Sequence, residues 1–258
     1  MSDSWVKASI CLATFNKASY LEKTLESIFC QAPPFIYETI VVDDGSSDST
    51  KYVCSNYSSL TYIRIEREPI YRNPSVARNV AYRHARGDIL ICQSDEVIHV
   101  GNRVIERLVH DLLPNTFSIA TVINVSNAKS GTLPNGLQLT GLENQRPYFF
   151  LGAIYRSDMY RVGGCDERFT SIGYDDDALA NCLMSGLRLS PRYLPDVIGH
   201  HQDHPRPNNL SDLMSSSARL YAELCSRRNA GLEPWLSTIA PWQYVPQISY
   251  FNTPVGSA

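Results

Sequence analysis

The sequence has no apolar run long enough to cross a membrane, and its charges nearly balance. No window approaches the roughly 20 apolar residues that a spanning helix needs, and the formal net charge is −3. Such a small excess of charge creates no overall field that attracts nucleic acid, so we expect no nucleic-acid partner. No basic segment followed by an apolar stretch opens the chain, which argues against a secretory signal. Peripheral contact with a membrane stays open.

Cysteine pairs of the kind that bind zinc or form disulfide frameworks are also missing. The chain has 7 cysteines, an odd number, and no two of them form a Cys-x-x-Cys pair. Cys11 and Cys92 lie inside apolar runs, where a thiol behaves as a small buried hydrophobic group. We therefore expect free thiols, a reducing compartment and a cytoplasmic location.

The first half of the chain alternates short apolar runs with segments of helical periodicity. The runs predicted as buried strands are Ala8–Ala13, Thr39–Val42, Leu60–Ile65 and Ile89–Cys92. Helices are predicted between them, the first starting at a capping-box pattern of Ser19 and Glu22. This alternation is typical of a parallel sheet with helices on both faces, which binds ligands at the carboxyl ends of its strands.

The second half has less regular patterns. They predict a helix around Val104–Leu112, a strand at Ser118–Val125, a loop or hairpin at Asn127–Asn144, a helix at Asp175–Leu189, a strand at Arg192–Ile198 and a helix at Leu210–Asn229.

Acidic pairs follow the second and fourth predicted strands. Asp43-Asp44 precedes Gly45-Ser46, a composition that also suits a solvated turn. In a functional interpretation, one of these carboxylates accepts the imide N–H of a uracil or thymine base. Asp95-Glu96 follows a buried run, where two adjacent carboxylates need a cation or solvent. A hard divalent ion prefers such oxygen ligands; an exposed strand end with ordinary acids is the alternative.

Two further clusters lie in the second half. Asp175-Asp176-Asp177 begins a predicted helix, where acids can stabilise the helix N-terminus, or one of them can act as a general base with a raised pKa. His200-His201-Gln202-Asp203-His204 places three imidazoles close together, which favours a metal or phosphate role over a structural one. Arg78, on a predicted helix, either is solvated or contacts the base or phosphates of a nucleotide.

Together these segments resemble family 2 of the inverting GT-A glycosyltransferases. The matching stretches, in the order of the family's motifs, are Ser9–Asn16, Ile40–Thr50, Ala77–Asn79, Ala85–Cys92, Gly163–Phe169 and Gly173–Asp176. The resemblance implies an α/β protein with the GT-A fold, in which a Rossmann-like, mostly parallel central sheet is flanked by helices and joined to a smaller acceptor-side subdomain.

The resemblance also implies a division of the chain. We expect a GT-A domain over residues 1–204, with a nucleotide-binding half at 1–100 and an acceptor half at 101–204. Residues 205–258 are expected to form a C-terminal helix and tail. Within this tail we expect Pro205–Asn209 to become ordered as a lid when the donor binds.

Individual residues receive roles from the same resemblance. The donor-binding residues would be Ala13, Thr14, Phe15, Asp43, Arg78, Ser94, Asp95 and Gly152. Asp95 matches the metal-binding second acid of the family's Asp-x-Asp motif, and His201 matches a metal-binding His in glycosaminoglycan-type polymerases. Glu96 and His204 are secondary candidates to bind the ion, which would be Mn²⁺ or Mg²⁺. Asp176 matches the catalytic base, with Asp175 and Tyr174 on the acceptor side.

Three positions depart from the family pattern, one of them Glu96, where an Asp is frequent. Gln93 stands where the first acid of Asp-x-Asp is usual, so metal binding would depend more on Asp95, Glu96 and His201. Asp175 replaces the usual Glu before the base, a shorter carboxylate.

These features predict an enzyme that transfers a sugar with inversion from a nucleotide-diphosphate donor, a UDP-sugar, to a hydroxyl of a saccharide or glycan. A nucleotidyltransferase is one alternative, but the loop Thr14–Lys17 is not the Gly-rich basic loop that it would need after the first strand. A dehydrogenase would need a Gly-x-Gly-x-x-Gly motif, which follows no predicted strand. A non-catalytic sugar-nucleotide-binding module would not need Asp95, Asp176 and His201 together.

Overall fold

A single mixed sheet forms the centre of the protein in the computed structural model, which describes residues 5–126, 133–206, 209–237 and 248–251. The strands in this part of the chain are β1 (Ala8–Thr14), β2 (Tyr37–Asp43), β3 (Leu60–Ile65), β4 (Ile89–Ser94), β5 (Val97–Val100), β6 (Thr116–Val125), β7 (Gln138–Thr140), β8 (Leu151–Tyr155), β9 (Ser190–Gln202) and β10 (Ile248–Phe251). The helices are α1 (Ala18–Phe29), α2 (Thr50–Ser55), α3 (Ser75–His84), α4 (Val104–His110), α5 (Arg156–Val162), α6 (Asp175–Asn181) and α7 (Leu210–Asn229).

The strand order divides the sheet into two parts. Strands β3, β2, β1 and β4 are parallel neighbours, as the alternating first half predicts. Beyond β4 the order continues as β8, β6, β9 and β5, with β6 and β9 parallel and the other pairs antiparallel. Because the parallel strands all point the same way, the carboxyl ends of β1, β2 and β4 lie at one edge of the sheet.

Alternating side chains of the strands supply two apolar layers. In β1, Ile10 and Leu12 pack in the same cluster as Leu21 and Leu25 of α1. Cys11, between them, belongs to the opposite cluster with residues of α3. The two-residue period of a strand explains this division, because successive side chains point to opposite faces. Helices therefore cover both faces, as predicted for a doubly covered sheet. All 7 cysteines have free thiols.

Several local predictions differ from the structure, and β9 extends beyond the predicted Arg192–Ile198 to Ser190–Gln202. Helix α1 begins at Ala18 without a side-chain cap, so the capping box of Ser19 and Glu22 is wrong. The Ala18 N–H instead donates to Asp48 Oδ2 at 2.9 Å. Helix α6 ends at Asn181 and continues only as a π-helical turn, Cys182–Gly186, so it is shorter than predicted. Strand β5 was not predicted, because its four residues show no distinct pattern.

Helix α7 has the predicted bounds and packs onto the acceptor half. Ser217 Oγ donates to the Ser171 carbonyl at 3.1 Å, just before α6. At the other end of α7, the fully buried Arg228 lies 3.3 Å from Asp166 Oδ2 and 3.7 Å from Glu233 Oε1. The helix is thus tied to the rest of the domain by buried charges. In the described residues, no helix is both long and apolar enough to pass through a lipid bilayer.

We expect Asp166→Asn to lower the free energy of unfolding by about 3–5 kcal/mol, because it removes the carboxylate charge beside the buried guanidinium group of Arg228. Asp166 is 1% exposed and also accepts two hydrogen bonds from Arg168 side-chain nitrogens. Urea unfolding measures the change. The control is Asp212→Asn on the exposed side of α7, and equal effects of the two substitutions would contradict a structural role for this network.

Candidate active site

A cavity of about 270 Å³ opens at the carboxyl edge of the sheet. It is lined by residues from the loops after β1, β3 and β4, from the start of α6 and from the end of β9. The predicted site residues along its wall are Ala13, Thr14, Phe15, Arg78, Ser94, Asp95, Glu96, Asp175, Asp176, His201 and His204. The fold therefore brings together residues that are up to 191 positions apart, from Ala13 to His204.

One wall of the cavity holds a carboxylate and two imidazoles. Ligand atoms of Glu96, His201 and His204 all lie within 4.8 Å of one another. Glu96 Oε1 is 3.2 Å from His204 Nε2 and 3.5 Å from His201 Nε2. Strand pairing explains the approach, because His201 is the register partner of Val97, the residue after Glu96. Glu96 and His204, the secondary candidates, thus join His201 in this cluster.

The orientation of the His201 ring is set by Asn124 of β6. The Asn124 amide nitrogen donates to the carbonyls of Leu133 and Pro134, so its Oδ1 is an acceptor. His201 Nδ1 lies 2.9 Å from that oxygen. Nδ1 must therefore hold the proton in this bond, which leaves Nε2 to face Glu96. A fixed tautomer of this kind is typical of metal-binding histidines.

Lys17 lies against the two acids that follow β4. Its Nζ is 3.0 Å from Glu96 Oε2 and 3.7 Å from Asp95 Oδ1. Burial raises the pKa of Asp95. Burial would raise the pKa of Glu96 too, but the Lys17 charge holds it well below its usual range. The ammonium group thus compensates carboxylates that are almost fully buried.

Gln93, the departure from Asp-x-Asp, is engaged inside the sheet. Its amide donates to the Val97 carbonyl at 2.8 Å, and its Oε1 lies 2.9 Å from His99 Nε2. Burial lowers the pKa of His99 to about 3, so this imidazole is neutral near pH 7 and donates through Nε2. Both polar groups of the Gln93 side chain are therefore used in hydrogen bonds that join β4 to β5.

The opposite wall of the cavity holds the acids at the start of α6. Arg78 of α3 donates to Asp175 Oδ2 at 3.1 Å and to Asp176 Oδ1 at 3.0 Å. Burial and the Asp176 charge raise the pKa of Asp175 to about 6. The side chain of Asp176 is 23% exposed, against 8% for Asp175. The side chain of Asp177 forms no ion pair with Arg78 and instead accepts a hydrogen bond from the Tyr148 hydroxyl at 2.6 Å.

Three predicted site residues, Asp43, Gly152 and Tyr174, lie outside the cavity wall. Asp43 is fully buried and accepts hydrogen bonds from Tyr62, Arg64 and the Ser46 N–H, and its neighbour Asp44 borders the cavity instead.

Gly152 lies inside β8, where an added Cβ would come within 2.4 Å of the Ser118 carbonyl oxygen. Its position is explained by the close approach of β8 and β6. Tyr174 precedes α6 with a left-handed φ of 63°, and its ring packs at a tilt of 31° against the ring of Tyr221 in α7. Direct donor contacts of Asp43 and Gly152 thus stay predictions that this geometry does not support.

Sequence reasoning missed Lys17 and the loop before α3. Tyr71 borders the cavity with its ring edge-on to Phe15, at 6.2 Å between centroids. Asn73 accepts hydrogen bonds from the N–H and hydroxyl of Ser75 and donates to the Ser171 carbonyl. The only signal in the sequence is an Asn two residues before a helix start, a common capping pattern. A lone Lys after Asn16 gives no such signal.

The raised pKa of Asp175 predicts a pH dependence of stability. A raised pKa means that the folded protein binds this proton more tightly than the unfolded chain, so its stabilising contribution is present below pH 4 and lost as pH rises through about 6. We expect the difference in free energy of unfolding, wild type minus Asp175→Asn, to fall by about 1–3 kcal/mol between pH 4 and pH 7. Urea unfolding at several pH values measures it, and a difference that is constant with pH would contradict the shift.

Comparison with known proteins identifies relatives of this chain. The family model for glycosyl transferase family 2 matches residues 9–169. The poly(ribitol-phosphate) β-N-acetylglucosaminyltransferase TarS of Staphylococcus aureus is 31% identical over 97 residues, which is 36% of this chain and 17% of TarS. The chondroitin synthase of Escherichia coli is 26% identical over 248 residues, which is 79% of this chain and 36% of that protein. The chain thus spans less than two thirds of either relative.

Solved structures show the same fold. TarS 1–349 in complex with UDP aligns with a TM-score of 0.55 at 16% identity, covering 87% of this chain and 72% of that one. The mannosyltransferase PcManGT from Pyrobaculum calidifontis, in complex with GDP-Man and Mn²⁺, aligns with a TM-score of 0.57 at 20% identity, covering 88% and 64%. The expected GT-A fold is confirmed. Since the family model matches more than half of its residues, this chain belongs to glycosyl transferase family 2.

Proposed function

We propose that this protein transfers a sugar from a UDP-sugar to a hydroxyl of a saccharide or glycan acceptor, with inversion and with a divalent metal ion. The observation on which the proposal depends is that one cavity joins the Glu96, His201 and His204 cluster on one wall to Asp175 and Asp176 on the other. A leaving diphosphate needs positive charge, and an attacking hydroxyl needs a base. The metal-side wall would meet the first requirement through its bound ion, and the acids on the opposite wall would meet the second.

Glu96, His201 and His204 would hold the metal ion, with Asp95 beside them. The donor set fits a divalent ion, because a carboxylate oxygen and two imidazole nitrogens converge and Asn124 fixes one of the rings. Two imidazoles favour Mn²⁺ over Mg²⁺, which prefers oxygen ligands. When bound, the ion would neutralise charge on the leaving diphosphate. The Mn²⁺ in the structure of the P. calidifontis mannosyltransferase supports this choice.

The nucleoside would lie between the end of β1 and the loop before α3. Ala13, Thr14 and Phe15 line this part of the cavity, and Tyr71 extends the aromatic surface beside Phe15. An aromatic surface of this kind can stack on a base. UDP as the leaving group is supported by the UDP-bound and UDP-GlcNAc-bound structures of TarS.

Asp176 would act as the catalytic base. It borders the cavity and is the more exposed member of the pair that Arg78 holds. In a single displacement, its carboxylate takes the proton of the acceptor hydroxyl as the oxygen forms a bond to the anomeric carbon. The bond from that carbon to the diphosphate oxygen breaks on the opposite side, which inverts the configuration. In this mechanism Arg78 positions both acids throughout and takes no part in proton transfer.

The remaining predictions form part of the same proposal. The cytoplasmic location and the division of the chain at residue 204 stay predictions, although α7 packs closely on the acceptor half. In the predicted lid Pro205–Asn209, residues 207 and 208 lie outside the described residues, and Arg206 borders the cavity. The family match argues against a nucleotidyltransferase. A measurement of sugar transfer would distinguish the proposed enzyme from a non-catalytic sugar-nucleotide-binding module.

We expect UDP with Mn²⁺ to raise the melting temperature, because a ligand that binds only the folded state stabilises it. At 100 times its Kd, the increase should be roughly 5–10 °C for a domain of this size. Differential scanning fluorimetry measures it. The same stabilisation by GDP would contradict the choice of nucleotide.

A matched pair of variants tests the metal ligands in the same assay. His201 and His200 are neighbours on β9, but only His201 borders the cavity. His201→Ala should lose the Mn²⁺-dependent part of the stabilisation, and His200→Ala should keep it. Loss in both variants or in neither would count against the assigned ligand.

We expect Asp176→Asn to lower kcat by roughly 10²–10⁴-fold, the usual contribution of a general base. UDP binding should change little, because the asparagine keeps the size of the side chain and still accepts a hydrogen bond from Arg78. Transfer assays and calorimetry with UDP and Mn²⁺ measure the two quantities. Asp177→Asn is the control, since Asp177 bonds to Tyr148. Wild-type turnover in Asp176→Asn would refute the mechanism.

A further inference from the structure

The Lys17 ammonium group occupies the point where the acids and imidazole of the metal-side wall converge. Its Nζ lies 3.0 Å from Glu96 Oε2, 3.4 Å from His204 Nε2 and 3.7 Å from Asp95 Oδ1. An ammonium has three N–H donors and no acceptor, so it matches three such atoms. Its side chain is only 20% exposed, so the contact is part of the packed wall of the cavity.

A divalent ion and this ammonium would compete for the same small group of side chains. The ligand atoms of Glu96, His201 and His204 lie within 4.8 Å of one another, a spacing that one ion with bonds of about 2.0–2.6 Å can span. Lys17 already contacts two of the three residues, through His204 Nε2 and through Glu96 Oε2, while the imidazoles face Glu96 Oε1. An ion placed among them would also meet a like charge at short range. Because like charges repel strongly at this range, binding of the ion favours departure of the ammonium.

The position of Lys17 in the fold allows it to leave. Its backbone is fixed at the start of α1, where its carbonyl accepts the N–H groups of Tyr20 and Leu21. Beyond that point the side chain is a flexible four-carbon stem that ends in one compact charge, so the ammonium can move while the backbone stays in place. A diphosphate bound to the metal ion would lie next to the same wall, within reach of this side chain. Arg78, by contrast, is held by Asp175 and Asp176 on the far wall.

We propose that Lys17 is a tethered cation that balances Asp95 and Glu96 while no metal is bound, and that it moves to the donor diphosphate when a divalent ion takes its place. This inference rests on the proposed metal site. It makes metal and nucleotide binding cooperative, because UDP supplies a new partner for the displaced ammonium. By linkage, UDP must then strengthen Mn²⁺ binding by the same factor as Mn²⁺ strengthens UDP binding.

The test measures Mn²⁺ binding to the whole protein at fixed pH, using the electron paramagnetic resonance signal of free Mn²⁺. Without nucleotide, Lys17→Met should bind Mn²⁺ about tenfold or more tightly than wild type, because a competing like charge is gone. With UDP present, the gain in Mn²⁺ affinity should be smaller in Lys17→Met than in wild type. Lys23→Met, at an exposed position on the same helix, should match wild type in both measurements.

Two further variants make the outcome decisive. Lys17→Arg keeps the charge and should restore weak Mn²⁺ binding, and Lys17→Gln serves if the Met variant does not fold. Unchanged or weaker Mn²⁺ binding in a folded neutral variant overturns the exchange of cations while leaving the metal site intact. Absence of Mn²⁺ binding in every variant, wild type included, overturns the metal site itself.

Discussion

The constraint on which this structure depends is the compensation of negative charge at the carboxyl edge of the sheet. A buried carboxylate loses its hydration, so it is stable there only with a cation or hydrogen-bond donors. Each acidic cluster at this edge has such a partner. Arg64 pairs with Asp43, Arg67 with Asp44, Lys17 with Asp95 and Glu96, and Arg78 with Asp175 and Asp176.

These pairs differ in what they allow. Asp43 is fully buried and its carboxylate accepts hydrogen bonds from Tyr62, Arg64 and the Ser46 N–H. The pairs made by Lys17 and Arg78 border open space, where a substrate or an ion can compete for the same charges. A site that keeps its acids paired until ligands arrive avoids strong repulsion in the empty state. In the proposed exchange only Lys17 is displaced, whereas Arg78 stays paired with Asp175 and Asp176.

Much of the fold could be predicted because it follows from periodicity. The four parallel strands and the bounds of Leu210–Asn229 are visible as apolar runs and as a helical pattern. The site was predictable where residue type limits the chemistry, as for His201. It was not predictable where the answer depends on direction in space. Sequence alone cannot distinguish Asp43 from Asp44, because adjacent strand residues point to opposite faces and the register decides which one meets the cavity.

The missed elements share a second cause, which is dependence on partners distant in sequence. Lys17 acquires its role only because the turn after β4 and the end of β9 approach it. Strand β5 exists because β9 is there to pair with it. The helix start at Ala18 is satisfied by Asp48, 30 residues away, instead of by a local box. Local patterns cannot indicate contacts of this kind.

The region matched by the family model ends at residue 169, before several residues that complete the cavity. Asp175, Asp176, His201 and His204 all lie beyond it, and α7 lies further still. Yet α7 packs against both ends of α6, because the Tyr221 ring lies against Tyr174 and the Tyr221 hydroxyl accepts a hydrogen bond from Asn181 Nδ2. The family model thus covers the parallel strands and part of the second half, while the solved structures align over 87–88% of the chain. The acids at the start of α6 are therefore positioned from two sides, by Arg78 of α3 through ion pairs and by α7 through packing.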